Sequence, residues 1–368
     1  MATIAWAQGL ITKLVDWFTR KRNLGLGMLV CSSTALVGLA SGDFSVEIKG
    51  FAGVLDAAKF STGGGFQGAL LNLAVCAVLL VWFLGAAMVL ANWLQELREA
   101  TVNRVLVVEM RGLEDTTDHP LIRAIPATLP GRRVDRLVNV RPLLTGATPN
   151  VPEALKEIDH IQRDVRLARG DTAREHVKVV AGGVMQVSLL FFAGTLLGDS
   201  GKAVFMDWDR TLGRWRELAD ADDGSRFAIS GLQDVGKADE VVVAVSASYI
   251  TDLKDIAATF PGMPLVHLSR PNPKPNTLWS EDTQAALGQQ FLHTLADLSN
   301  QGVKVVHLVL AAPSSLCLRL GSVYDHRNHP QLLCYQRERD QTPAYPWSVQ
   351  MPTALQSVEY RPTRPAPQ

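Results

Sequence analysis

Two uncharged apolar runs dominate the first hundred residues, LGLGMLVCSSTALVGLA from Leu24 to Ala40 and ALLNLAVCAVLLVWFLGAAMVLA from Ala69 to Ala91. A bilayer-spanning helix needs about 20 apolar residues, with ~17 as the floor, so the second run predicts a span outright and the first one of minimal length. Lys13, Arg20, Lys21 and Arg22 precede the first run as a signal peptide's basic region would, but that flank is long and holds Trp17 and Phe18. With a second run to close a hairpin, a two-span membrane anchor is the better reading. Arg20 to Arg22 lie before the spans and Arg98 and Arg104 after them, against only Lys49 and Lys59 between, which predicts both termini in the cytoplasm. Ile4, Ile11, Leu14, Val15 and Phe18 suit an interfacial helix, and VEIKGFAGVLDAAKF in the loop 41–68 suits the membrane surface. Gly27, Cys31 and Ala35 recur every fourth residue, a small face that serves either hairpin packing or assembly of several copies.

After Trp93 the hydropathy falls and short continuous apolar runs take over: VLVVEM, VKVVAGGV, AVFMDW, VVVAVSA, MPLVHL and VKVVHLVLAA. Continuous rather than alternating runs predict strands buried on both faces. Helical patterns separate them, one with Leu155, Ile158, Ile161 and Val165 on a single face, another with Phe291, Leu295 and Leu298 apolar and Gly302 placed as a C-terminal cap. Such alternation predicts an α/β fold with a mostly parallel sheet. VLVVEMRG and VVVAVSAS each open a similar half, so the domain reads as a duplication. LLCYQRER and YPWSVQMP predict a closing pair of strands with Tyr335, Tyr345 and Trp347 in the core. The expected organisation is a membrane module over 1–98, a ligand-binding domain over 99–352 and a flexible tail over 353–368.

Ligands of open parallel sheets bind beyond the carboxyl ends of the strands, which draws attention to Arg111, Asp207, Trp208, Ser246 to Tyr249 and Pro313 to Ser315. The sharpest feature is a buried strand ending in Ala-Pro-Ser-Ser before an amphipathic helix. Ser314 or Ser315 suits its N-cap, and the free N–H groups there favour an anion. Lys+Arg and Asp+Glu are equal at 36 each, so no basic field exists to hold duplex nucleic acid. The four cysteines are scattered, and no metal-ligand spacing, HExxH, GxSxG or P-loop pattern occurs. Neither a catalytic residue nor a metal site is predicted.

HLVLAAPSSLCLRLGSVYD followed by PQLLCYQRE and YPWSVQMP, together with AGGVMQVSLLFFAGTLL and VFMDWDR, resembles the SAVED domain, found in effectors of bacterial anti-phage (CBASS) signalling. The resemblance extends from about residue 100 to 352. It implies two fused Rossmann-like (CARF-like) halves that bind a cyclic tri- or tetranucleotide as activating ligand, with homo-oligomerisation on binding. No other cofactor is implied. With two apolar helices in front, it further implies an inner-membrane effector that disrupts the bilayer and causes abortive infection. A multi-phosphate ligand strengthens the anion reading of Pro313, Ser314 and Ser315 and brings in Arg111, Lys178 and Ser246, with Trp208, Tyr249 and Trp279 as stacking candidates. The rival reading is a membrane-tethered enzyme that binds or cleaves a nucleotide. The absence of GxGxxG argues against a dinucleotide cofactor, whereas ligand cleavage stays open.

Overall fold

The computed structural model describes residues 24–40, 45–51, 55–61, 68–126, 128–146, 149–198, 203–339 and 341–363. The chain divides into two compact units, Met1–Glu99 and Ala100–Gln368. The expected interfacial helix before residue 19 lies outside the described residues.

In the first unit, helix α1 (Leu24–Ala40) and helix α2 (Gly68–Val102) flank strands β1 (Ser45–Phe51) and β2 (Leu55–Ser61). The two strands, which fall in the stretch expected on the membrane surface, pair antiparallel. Val75–Leu94 of α2 is long and apolar enough to cross a bilayer, and only 6% of it is buried. Its 20 residues reach about 30 Å at 1.5 Å per residue, the thickness of the hydrocarbon core. The 17 residues of α1 reach about 25 Å and fall short. The helices meet at two glycines: a Cβ on Gly25 would lie 3.1 Å from the Gly85 carbonyl oxygen, and one on Gly85 would lie 3.0 Å from that of Gly25. Trp82 Nε1 adds a hydrogen bond to Ser33 Oγ at 3.1 Å. Gly25 and the buried Ser32, seven residues apart, share this face, while Gly27, Cys31 and Ala35 are half-buried along another side of the helix.

The second unit holds the predicted α/β duplication. Its first half runs β3 (Arg104–Arg111), α3 (Leu121–Ala124), β4 (Arg132–Asn139), α4 (Arg141–Leu144), α5 (Val151–Arg169), β5 (Val177–Val184), α6 (Val187–Gly198), β6 (Ala203–Asp209) and β7 (Arg214–Glu217). The second runs β8 (Ala228–Ser230), β9 (Glu240–Ser246), α7 (Leu253–Thr259), β10 (Leu265–Ser269), α8 (Glu281–Asn300), β11 (Val305–Ala311), α9 (Ser314–Val323), β12 (Gln331–Gln336), β13 (Trp347–Gln350) and β14 (Glu359–Pro362). The sheets are ordered β4-β3-β5-β6-β7 and β14-β13-β12-β11-β9-β10-β8. Within each, a five-strand set repeats: three parallel pairings and then an antiparallel one, with β4, β3, β5, β6 and β7 matching β10, β9, β11, β12 and β13. β3, β5, β9 and β11 are buried along nearly their whole length, which is why each reads as an unbroken apolar run.

One hydrophobic core passes through both halves. At its centre α6 crosses α9, and Gly194 and Gly321 leave no room for side chains: a Cβ on Gly194 would lie 2.2 Å from Leu318 O, and one on Gly321 2.1 Å from Phe191 O. The segment from 353 onward, expected to be a free tail, instead carries β14 on the edge of the second sheet. There Tyr360 pairs with Val349, and Thr363 Oγ1 donates to Tyr345 O at 2.6 Å.

Candidate ligand-binding cleft

The two halves present their strand ends in the same way. Gly112 N and Leu113 N both donate to Val184 O at 2.9 Å, and Ala247 N and Ser248 N both donate to Ala311 O at 2.9 Å. Each half thus ends its first strand in a turn tied to the neighbouring strand. Between these edges lies a cavity of about 110 Å³. From the first half it is lined by Leu113, by Met185 and Val187 where the chain enters α6, and by Asp207 and Trp208 at the end of β6 with Arg210 just after it. The second half supplies Ser248, Tyr249, Asn276, Trp279, Pro313 and Ser314. Small-molecule sites usually measure about 300–1,000 Å³, so this cleft is smaller than a typical ligand pocket.

Of the residues singled out in the sequence, Asp207, Trp208, Ser248, Tyr249, Trp279, Pro313 and Ser314 meet at this cleft. The two tryptophans are walls rather than open platforms. Trp208 is 8% exposed and stands edge-on to Trp215, 5.3 Å between ring centroids. Trp279 is 7% exposed, with the Arg216 guanidinium 4.5 Å above its ring and its Nε1 bonded to Asn276 O. Tyr249, 55% exposed, is the aromatic free to stack.

Arg111, Lys178, Ser246 and Ser315 lie outside the lining, each for a physical reason. Arg111 is buried and bonds Glu109 Oε1 at 2.7 Å and Thr117 Oγ1 at 2.7 Å, so its charge is spent inside the fold. Lys178 stands near the start of β5, six residues before Val184 and so about 20 Å from the strand ends at ~3.3 Å per residue. Ser246 is fully buried, with its Oγ 2.8 Å from His267 Nε2 and accepting from Thr251 N at 3.0 Å. A serine beside a histidine resembles a nucleophile and its base, but this hydroxyl is closed to solvent and ties down the loop after β9.

Ser315 departs most from expectation. The anion predicted for the N-terminus of α9 belongs to the chain itself: Asp207 Oδ2 accepts from Ser315 Oγ at 2.7 Å and from Ser315 N at 3.3 Å. Gln284 Nε2 bonds the same hydroxyl at 2.8 Å. The other half mirrors this, Val187 N at the start of α6 donating to Gln336 Oε1 at 3.1 Å. A residue at the end of β6 thus caps a helix of the second half, and one at the end of β12 caps a helix of the first. Burial pushes the Asp207 carboxyl up, against the bonds from Ser315 and Trp208 that hold it down. Arg210 escaped the sequence reading although it directly follows the VFMDWD strand; it is exposed and lines the cleft. Among the described residues no group of three or more His, Cys, Asp or Glu side chains is placed to hold a metal.

The second unit is thus a duplicated α/β domain with a cleft between its halves, and the chain ahead of it carries an apolar helical module. The chain belongs to the SAVED family: residues 161–351, just over half of it, match the "SMODS-associated and fused to various effectors sensor domain". Residues 3–155 match the "SAVED-fused 2TM effector domain". The second match runs on through β3 and β4, strands that belong to the first sheet of the sensor unit. Among solved structures, the Acinetobacter baumannii Cap4 SAVED/CARF-domain containing receptor, determined with the cyclic trinucleotide 2'3'3'-cAAA, is 12% identical at TM-score 0.45, covering 77% of this chain and 60% of that one. The Moraxella osloensis Cap4 SAVED/CARF-domain containing receptor is 10% identical at TM-score 0.44, covering 76% and 60%. The chain therefore spans about 60% of the length of these receptors. No curated protein matches it.

Proposed function

We propose that this chain is a non-enzymatic anti-phage effector whose sensor unit binds a cyclic tri- or tetranucleotide in the cleft between its halves. On binding it assembles into oligomers and, through its helical module, disrupts the inner membrane. The observation that carries the reading is the convergence of Trp208, Tyr249, Trp279, Pro313 and Ser314 with the cationic Arg210 at the facing strand ends. The ligand class is the one that membership of the family implies. Arg210 takes a phosphate as a charge-assisted partner, Tyr249 stacks on a base, and the tryptophans shape the walls. Arg111, Lys178, Ser246 and Ser315 act in the scaffold rather than on the ligand. Against ligand cleavage stands the burial of Ser246, the hydroxyl held against an imidazole.

In the membrane module, α1 and α2 form a two-span hairpin with both chain ends in the cytoplasm, α1 reaching across by local thinning of the bilayer. A single residue, Asn103, separates the end of α2 from β3, so assembly of the sensor units gathers their helices at high effective concentration. The stripe of Gly27, Cys31 and Ala35, away from the Gly25–Gly85 contact, is the surface for helices of other copies. The test is a thermal-shift series on the full chain in detergent against cyclic di-, tri- and tetranucleotides. A ligand at 100 times its Kd stabilises by about 2.7 kcal/mol, which gives a shift of several degrees. No shift with any cyclic tri- or tetranucleotide overturns the proposal.

A further inference from the structure

Asp207 is a carboxyl side chain in the cleft lining, 6% exposed, and among the described residues it has no ion-pair partner within 4 Å. Ionising a buried carboxyl without a counter-ion is costly, and such costs are concentrated at functional sites. Its Oδ2 is taken up by Ser315 N and Oγ, but its Oδ1 accepts a single bond, from Trp208 N at 2.8 Å, which leaves a lone pair free. The same carboxylate fills the N-terminus of α9 and so bars a ligand phosphate from it. Among the side chains lining the cleft are the acidic Asp207 and the basic Arg210.

We infer that Asp207 determines base specificity in the cleft: its Oδ1 accepts a hydrogen bond from the amino group of the inserted base, while the adjoining phosphate turns to Arg210. The inference rests on the receptor reading and names what the cleft reads. The cleft supports it by bringing Asp207 and Arg210 into one lining together with Tyr249. A base without an amino group leaves the carboxylate facing an apolar edge, or an oxygen that repels it.

The probes are cyclic triadenylate and cyclic triguanylate, each paired with its counterpart lacking the amino group, cyclic tri(purine riboside) and cyclic triinosinate. Affinities are measured calorimetrically on the full chain in detergent. The wild type should prefer the amino member of the pair it binds by at least about tenfold, as expected where a site built for a hydrogen bond meets a ligand lacking it. Asp207→Asn, which presents an amide N–H₂ where the carboxylate had only acceptors, should reduce the preference to about threefold or less. Arg210→Ala should weaken both members alike and leave the ratio unchanged. Equal affinity of the wild type for both members overturns the inference even if Asp207→Asn fails to fold, and so does a preference that survives in a folded Asp207→Asn variant. Failure of the wild type to bind any of the four while it binds another cyclic oligonucleotide overturns the base assignment alone. Failure to bind any cyclic oligonucleotide overturns the receptor reading itself.

Discussion

Gly321→Ala is the substitution whose outcome the packing dictates most sharply. In an exposed helix interior the change from glycine to alanine stabilises by about 1 kcal/mol through backbone entropy. At Gly321 the new methyl would stand 2.1 Å from Phe191 O, 3.0 Å from Phe191 C and 3.0 Å from Gly194 Cα, all backbone atoms that no rotamer change removes. Ordinary carbon–oxygen contact begins near 3.4 Å, so α6 and α9 must part by more than 1 Å. A gap of that size forfeits about a quarter to a half of each contact well along the interface. Overpacking typically costs about 1–3 kcal/mol, and contact with backbone on both sides puts this site at or above the upper end. After the propensity gain, a net loss of about 2–3 kcal/mol remains. For a unit of this size, roughly 2–4 °C per kcal/mol, the melting temperature should drop by about 4–12 °C. Gly194→Ala, its counterpart on α6, should behave alike. Gly288→Ala is the control: its Cβ would find nothing closer than Arg319 Cγ at 3.6 Å, so it should be neutral or slightly stabilising. Tryptophan fluorescence during thermal unfolding measures all three. Stabilisation by Gly321→Ala, or an equal loss at Gly288, refutes the claim that a glycine-to-glycine crossing joins the halves.

Arg210→Ala should lower affinity for a cyclic oligonucleotide by tenfold or more with an unchanged melting temperature, since the side chain is exposed; titration calorimetry beside a melt checks both. Burial holds His267 and His307 below the ordinary histidine value of 6.5, Glu240 opposing it at His307. Their contribution to stability is therefore complete above that value and lost as pH falls through it, by at most about 1.4 kcal/mol per pH unit for each proton. The melting temperature should fall from about pH 7.5 to about pH 5 and fall less in the His267→Gln/His307→Gln variant. Gly27→Leu or Ala35→Leu should abolish toxicity in signalling cells while ligand binding persists, because bulky side chains block close helix approach; depolarisation that continues in either variant removes that stripe from the mechanism.

What was legible in the sequence follows burial. β3, β5, β9 and β11 are central strands covered on both faces, and their apolar runs coincide with the strands almost residue for residue. β4 was invisible because it is an edge strand, RRVDRLVN, in which Val138 alone is buried and charge masks the period. β14 escaped for the same reason, EYRP having no buried residue. At the cleft, Pro313 and Ser314 were legible because a strand ending in Pro-Ser before an amphipathic helix is a local signal. The capping of that helix by Asp207 was not, since the partners are 108 residues apart and only the duplicated fold unites them. Arg111 misled because a cation at a strand end looks free until Glu109, two positions earlier on the same face, is seen to bind it.

Reconstitution of the full chain into dye-loaded liposomes of bacterial lipid, followed by addition of a cyclic tri- or tetranucleotide, tests the central claim most directly. The account predicts that the dye is retained until the ligand is added and is then released, with release abolished by Arg210→Ala. Leakage of equal size with and without ligand, or retention of dye while calorimetry on the same vesicles records binding, contradicts it.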